Sequence, residues 1–252
     1  MSKLPTIGAV AKQAGVAPST VSRALNGGYV SAELKQRIEG VMKRLGYSPW
    51  STARNFKLGK SGSIGVSVEN SGGAWFMQLL MGIESELRPQ RHSLQLGSLD
   101  LDGAYDSTLV SRWIEERRVD GLILIRAGKQ ERPLVLAAKR VKLPLALVAP
   151  DVDFGYGQVL RSRNAEAGQD VAEHLLGLGH RRFAYLGGPK GSLDSRDRLA
   201  GLVEGLRSKG IAINPENVRF AARYDSESGA RYAAEWLARG RGRAPTAVFC
   251  GN

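Results

Sequence analysis

From Ser63 to Asn252 the chain repeats one pattern: a short apolar run, a short link, then a stretch with helical apolar spacing. The runs SIGVSV (63–68), HSLQLGS (92–98), DGLILIR (120–126), PLALVA (144–149), RFAYLGG (182–188) and TAVFCGN (246–252) read as strands, with a further short one near 218–221. Residues 75–87, 107–117, 131–140, 166–178, 196–209 and 226–239 read as helices between them. Links this short imply parallel strands, because each crossover carries its helix back onto a sheet that becomes covered on both faces. The pattern restarts after a crossing near 157–163, which implies two Rossmann-like lobes side by side.

The first sixty residues follow a different rule. One helical pattern begins after Thr6, with Ile7, Val10, Ala11 and Ala14 on a stripe, and stops at Gly15. A second follows almost at once. Pro18 suits its first position, where a missing N–H costs nothing, Val21 and Leu25 sit four apart, and Asn26-Gly27-Gly28 ends it. A third starts after Ser31 and places Leu34, Ile38, Val41 and Leu45 on one face, with Gly46 as its stop. Two helices joined by a tight glycine turn and braced by a third form a helix-turn-helix arrangement.

Charge separates the two regions. Residues 1–60 hold ten Lys and Arg against Glu33 and Glu39, a net +8, whereas the remainder holds 26 against 22. A basic, patterned segment on a nearly balanced body fits a polyanion partner, since each neutralised phosphate releases condensed counterions. Cys250 is the only cysteine, so intramolecular disulfides and cysteine metal clusters are excluded. No export signal or membrane-spanning apolar run is readable, and a cytoplasmic location is expected.

In a helix-turn-helix the second helix reads DNA, and its N-terminal residues face base edges. Here those are Pro18, Ser19, Thr20, Ser22 and Arg23. Arg23 is the natural guanine reader, while hydroxyls at Ser19 and Thr20 suit bases or phosphates. Hydroxyls at an isolated helix start are usually just caps; the three-helix setting and the local charge favour the reader.

The stretch TIGAVAKQAGVAPSTVSRALNGGYVSAELKQRIEGVMKRLGYSPWSTARNFKLGKSGSIGV resembles the head of a LacI/GalR-family repressor over about sixty-five residues. The resemblance implies DNA contacts from Thr6, Pro18, Ser19, Thr20, Ser22, Arg23, Asn26, Tyr47, Ala53, Arg54, Phe56 and Lys57. It also implies four segments: a DNA-binding domain at 1–47, a hinge helix and linker at 48–60, and two core lobes at 61–162 and 163–252. Relatives usually carry Asp where Ala9 stands, as half of a capping box with the residue matching Thr6, and Ser where Ala17 stands. Both ends are therefore expected to be less firmly held, Ala17 costing roughly 0.5–2 kcal/mol, partly offset by Pro18. Ser48 to Lys57 resembles the family's hinge helix, which enters the minor groove when two protomers pair. Phe56 stands where relatives place a wedging leucine, and an aromatic also wedges a base step; the alternative is that Phe56 packs against its own domain.

The body resembles the periplasmic-binding-protein-like core of the same family through IGV, GIE, VDGLIL, HLLGLGHRRFAYLGGP, RLAGL and PTAVFCGN. Such bilobed folds hold a ligand between the lobes, and lobe closure couples to domain geometry. Trp75 and Phe76 match an aromatic pair lining that cleft, and Arg198 matches an arginine gripping effector hydroxyls or carboxylates. Arg126, Tyr224 and Asn252 complete the expected lining. Ala149-Pro150 and Arg163 stand where relatives commonly carry acids. Losing two acids while gaining Arg163 favours an anionic effector, because an arginine fork pairs with carboxylate or phosphate. The alternative for Arg163 is a solvent-facing side chain or a neighbouring acid. Relatives continue past FCGN with further strand–helix units, so the resemblance implies a truncated, incomplete second lobe.

Catalytic patterns are not readable. GGPKGS (187–192) lacks the phosphate-loop order, GYGQVL is not a dinucleotide fingerprint, and His92, His174 and His180 have no ligand spacing. The expectation is a non-enzymatic, homodimeric, sequence-specific repressor of the α/β class with no cofactor. It would read a pseudo-palindromic double-stranded operator under control of a small metabolite. The alternative is a non-specific DNA binder or a regulator impaired by an incomplete core.

Overall fold

The computed structural model describes residues 5–25, 28–47, 60–68, 74–101, 104–240 and 242–251. Its compact units are Met1–Gly62 and Ser63–Asn252.

In the smaller unit α1 (Ile7–Ala14), α2 (Pro18–Leu25) and α3 (Ala32–Leu45) bury Val10, Ala11, Ala14, Val21, Ile38 and Val41 against one another. Thr6 Oγ1 accepts from the Ala9 N–H at 3.3 Å, so the threonine half of the expected cap stands. Ala9 has no side chain to return the bond. Gly15 turns the chain at φ 65°, a left-handed conformation that β-carbon-bearing residues resist, and so lets α2 follow within three residues. At the start of α2 the Ala17 carbonyl accepts from Thr20 and Val21. The Ala17 methyl side chain carries no oxygen to add a side-chain cap to that backbone one.

The larger unit holds two parallel sheets. The first runs in the order β2 (Ser93–Ser98), β1 (Ser63–Val68), β5 (Gly121–Ile125), β6 (Leu145–Val148) and β7 (Gln158–Leu160). Side-chain alternation splits its two faces. Val66 and Ile125 meet Phe76, Leu79, Leu80 and Ile83 of α4 (Ala74–Leu87). On the other face Leu122, Leu124, Leu145 and Leu147 meet Val110, Trp113 and Ile114 of α5 (Thr108–Glu115) and Leu134, Val135 and Ala138 of α6 (Arg132–Arg140). A small antiparallel pair, β3 (Asp100–Leu101) and β4 (Ala104–Tyr105), lies where the sequence reads as a link.

The second sheet has the order β10 (Ala247–Cys250), β8 (Phe183–Gly187) and β9 (Val218–Phe220). Phe183 and Tyr185 face Ala172 of α7 (Asn164–Gly177) and Leu202 and Leu206 of α8 (Leu193–Arg207). Helix α9 (Ser226–Leu237) starts under an Asp225 cap, whose carboxylate accepts from the Ser228 N–H at 2.7 Å.

One flaw in the first sheet carries a prediction. Ser67 is fully buried on β1, and its hydroxyl has no hydrogen-bond partner among the described residues. Alternation puts it on the Trp113 face, beside Gly65 and opposite Gly97, where added β-carbons would stand 2.8 and 2.7 Å from the indole. An unsatisfied buried hydroxyl carries its desolvation cost with no return. Ser67→Ala should therefore raise stability by about 1 kcal/mol in chemical denaturation. A loss of stability would show that the hydroxyl is satisfied.

Candidate DNA-reading helix and interlobe site

On α2, Val21 is buried and faces the small core, which turns the opposite side outward. Pro18, Ser19 and Arg23 are exposed, and Thr20 and Ser22 are half-buried. These are the reader residues expected from the sequence, presented on one short helix. The Gly28 N–H donates to the Arg23 carbonyl at 2.9 Å, and a β-carbon at Gly28 would stand 2.5 Å from Arg23 Cγ. The stem of Arg23 thus lies against bare backbone, which limits where its guanidinium points. Tyr29, which follows, is 93% exposed, an aromatic next to the reader that the sequence reading did not single out. Tyr47 packs partly against the three-helix core. Asn26, Ala53, Arg54, Phe56 and Lys57, and the hinge helix expected over 48–57, lie outside the described residues, as does Asn252.

In the larger unit the polar side chains that converge sit at the carboxyl ends of the parallel strands, the end where open α/β sheets hold ligands. From the first sheet come Arg126, just after β5, and Asp151, just after β6. Arg126 and Ala149 both have left-handed backbones, with φ of 56° and 49°, a conformation that costs a non-glycine residue energy and clusters at functional sites. From the second lobe come Asn164 at the start of α7, Asp194, Ser195 and Arg198 in the first turns of α8, and Tyr224 after β9.

Their bonds form a chain. Asn164 Nδ2 donates to Asp194 Oδ1, and Arg198 Nε donates to Asn164 Oδ1, both at 2.8 Å. A second Arg198 nitrogen donates to the Gly251 carbonyl. Ser195 Oγ accepts from the Gly188 N–H at 3.1 Å and lies 2.7 Å from the Tyr224 hydroxyl. Tyr224 lies flat on Gly188, where a β-carbon would meet its ring at 2.1 Å. Among the described residues Arg126 and Asp151 reach across to the second lobe: Arg126 stands over the Tyr224 ring at 5.2 Å, and Asp151 Oδ1 accepts from the Leu193 N–H at 2.7 Å. Beneath them the Tyr185 hydroxyl donates to the Ser195 carbonyl at 2.6 Å, and burial pushes its pKa up to about 12, so it remains a neutral donor.

Of the expected effector residues, the structure brings Arg126, Arg198 and Tyr224 together. It does not bring three others there. Phe76 packs under the first sheet with Val66 and Ile125, Trp75 is half exposed at the start of α4, and Arg163 is exposed and paired with Glu166 at 2.8 Å. Arg163 thus follows the second of its two readings, a neighbouring acid, because Glu166 lies three residues on along α7. Asp151, Asn164, Asp194, Ser195 and Tyr185 belong to the cluster and were missing from the expected set. The sequence held one signal for them, the spacing of Asp194 and Arg198 one helical turn apart, with Ser195 beside the first.

Burial holds the Asp194 carboxyl above its ordinary range, an effect that Arg198 and Arg126 oppose and Asp151 and Asp197 reinforce. Below the ordinary value Asp194 is neutral whether the chain is folded or not, and nothing is lost. Above its raised folded value it is charged in both states, and the folded state carries the penalty. Its contribution to stability therefore falls as pH rises through that window. Asp194→Asn keeps an acceptor for Asn164 and removes the fall. The stability of the variant minus that of the parent should rise as pH climbs from the ordinary carboxylate value through the raised folded one. A flat difference in thermal melts would remove the assignment.

No helix among the described residues is long and apolar enough to cross a membrane. No group of three or more metal-ligating side chains occurs among them.

A helix-turn-helix head and a bilobed core with polar groups converging between its lobes define a DNA-binding regulator with a ligand-binding body. Residues 6–50 match the family of bacterial regulatory proteins called lacI, and residues 172–252 match the periplasmic binding protein-like domain. The transcriptional repressor PurR of Pasteurella multocida is 28% identical over 250 residues, covering 99% of this chain and 74% of PurR. The transcriptional regulator MalR of Streptococcus pneumoniae is 29% identical over 234 residues, covering 90% of this chain and 70% of MalR. Among solved structures, the Lac repressor bound to ONPG in its repressed state superposes with a TM-score of 0.80 at 25% identity, over 98% of this chain and 74% of that one. Residues 6–50 thus match the lacI-family head, residues 172–252 match the periplasmic-binding-protein-like domain, and along nearly its whole length the chain is similar to transcriptional regulators that share both.

Proposed function

We propose that the chain is a homodimeric, sequence-specific repressor whose operator affinity is set by a small metabolite bound between the lobes of its core. The observation that carries this reading is the outward face of α2, with Ser19, Thr20, Ser22 and Arg23 on a helix whose Val21 is buried in the three-helix core. Two such helices, one from each protomer, match a pseudo-palindromic site. Dimerisation is supported by apolar side chains exposed on α4, Trp75, Met77 and Met81, together with exposed Leu96 of the edge strand β2. The Lac repressor, which shares the fold, is described as a dimer bound to operator.

The cluster also bears on effector chemistry. With Arg163 paired to Glu166, the case for an anion rests on Arg126 and Arg198. These face Asp194 and Asp151, and the Arg198 fork is already engaged by Asn164 and Gly251. A charge-balanced site rich in acceptors and rings fits the hydroxyls of a neutral sugar better than a free anion. Calorimetry with neutral sugars against sugar acids and sugar phosphates tests this, and preference for the charged set would restore the anionic reading. Operator specificity is tested by selection from a random duplex pool, then competition with bulk DNA across salt concentrations. A preference of about a thousandfold or more is expected of a specific repressor. No preference would leave a non-specific binder.

A further inference from the structure

We infer that Asp151 is a positioning residue that latches the two lobes, by serving as the N-cap that α8 lacks in its own sequence. Ser192 occupies the cap position of α8, yet its side chain makes no capping bond. The first helical N–H, that of Leu193, is met instead by Asp151 Oδ1, 42 residues earlier and on the other lobe. An ionised carboxylate at a helix start satisfies an orphan donor and complements the positive end of the helix.

Asp151 is held from behind as well. Its own N–H donates to the carbonyl of buried Ala127 at 2.9 Å, and Ala149, two residues before it, donates to Leu160 at 2.8 Å. Pro150 between them fixes one more backbone angle. The first sheet therefore sets where the aspartate starts, and α8 sets where it ends. A side chain with one methylene leaves such a strut little slack. The turn it grips carries Asp194 and Ser195, with Arg198 one turn further on, so the latch also fixes the groups that bond Asn164, Gly251 and Tyr224. Arg126 over Tyr224 is a looser lobe-to-lobe contact, with no donor geometry to satisfy.

On this inference the lobes approach one another without a ligand, and a metabolite binds a site already partly assembled. Its apparent affinity then rises in proportion to the population of the closed form. This last step rests on the interlobe site being where the effector acts; the latch itself does not.

The test uses the full chain carrying Asp151→Ala or Asp151→Asn. Exchange of the Leu193 amide is followed by NMR, and the lobe separation by paired spin labels at Lys139→Cys and Ser208→Cys with Cys250→Ser. Alanine should speed Leu193 exchange about tenfold or more and shift the label distances longer, whereas asparagine, which keeps the acceptor oxygen, should stay close to the parent. Identical exchange and distances in Asp151→Ala and the parent would overturn the latch. If the alanine variant does not fold, Asp151→Glu lengthens the strut by one methylene; an unchanged distance there would equally overturn it. A latch that behaves as expected while no metabolite alters operator binding would count against the effector reading alone.

Discussion

Arg23→Ala is expected to lower the preference for a selected operator over bulk DNA by roughly 10–100-fold, the worth of one good bidentate base contact at about 1–3 kcal/mol. The side chain leaves α2 on its exposed face, and its stem lies against Gly28, where no β-carbon intrudes. That support places the inner stem of the side chain, while the exposed guanidinium is left to meet a base edge. Arg23→Lys separates charge from geometry. Lysine keeps the attraction to phosphates but has no planar fork, so binding to bulk DNA should hardly change while operator preference falls almost as far as with alanine. Equal proportional losses on both DNAs would make Arg23 a phosphate contact. No loss on either would take the outward face of α2 out of the interface.

The legible parts of this molecule are those whose partners lie close in sequence. Strand β1 was readable at its observed bounds, 63–68, because a short apolar run is a local signal. Helix α3 announced both ends through Ser31 and Gly46, and both residues cap it. Helix α8 was expected over 196–209 and runs from Leu193 to Arg207. The three residues lost from its start, Leu193, Asp194 and Ser195, are those that meet Asp151, Asn164 and Tyr224. A cap supplied from 42 residues away, on another lobe, leaves no mark near the helix it caps.

Arg163 shows the converse. Matching its position to relatives put it in a cleft, while Glu166, three residues on, offered a partner at helical spacing that was in plain view. Local geometry was the better guide there. For Phe76 the local pattern was also sufficient: with Leu79, Leu80 and Ile83 it completes the apolar stripe that α4 lays under the first sheet.

Gly201→Ala is expected to destabilise the core by roughly 1–3 kcal/mol or more, a drop in melting temperature of about 3–10 °C for a domain of this size. A β-carbon at Gly201 would stand 1.8 Å from the Ala165 carbonyl oxygen, and one at Gly168 would stand 2.3 Å from the Arg198 carbonyl oxygen. Helices α7 and α8 thus meet backbone to backbone, which no flexible side chain can relieve by swinging aside. They must part, and the end that parts is the one carrying Asn164 and Arg198. Loss of stability should therefore come with loss of whatever the interlobe site binds. The reverse change is expected at Gly229 in α9, where an added β-carbon meets nothing within 4 Å. Gly229→Ala should stabilise by about 0.5–1 kcal/mol through helix propensity alone. Melts of the two variants against the parent decide the matter. If both glycines respond alike, propensity governs both sites and the close approach of α7 to α8 carries no energy; opposite signs make Gly201 the contact on which the second lobe, and the groups it holds toward the first, depend.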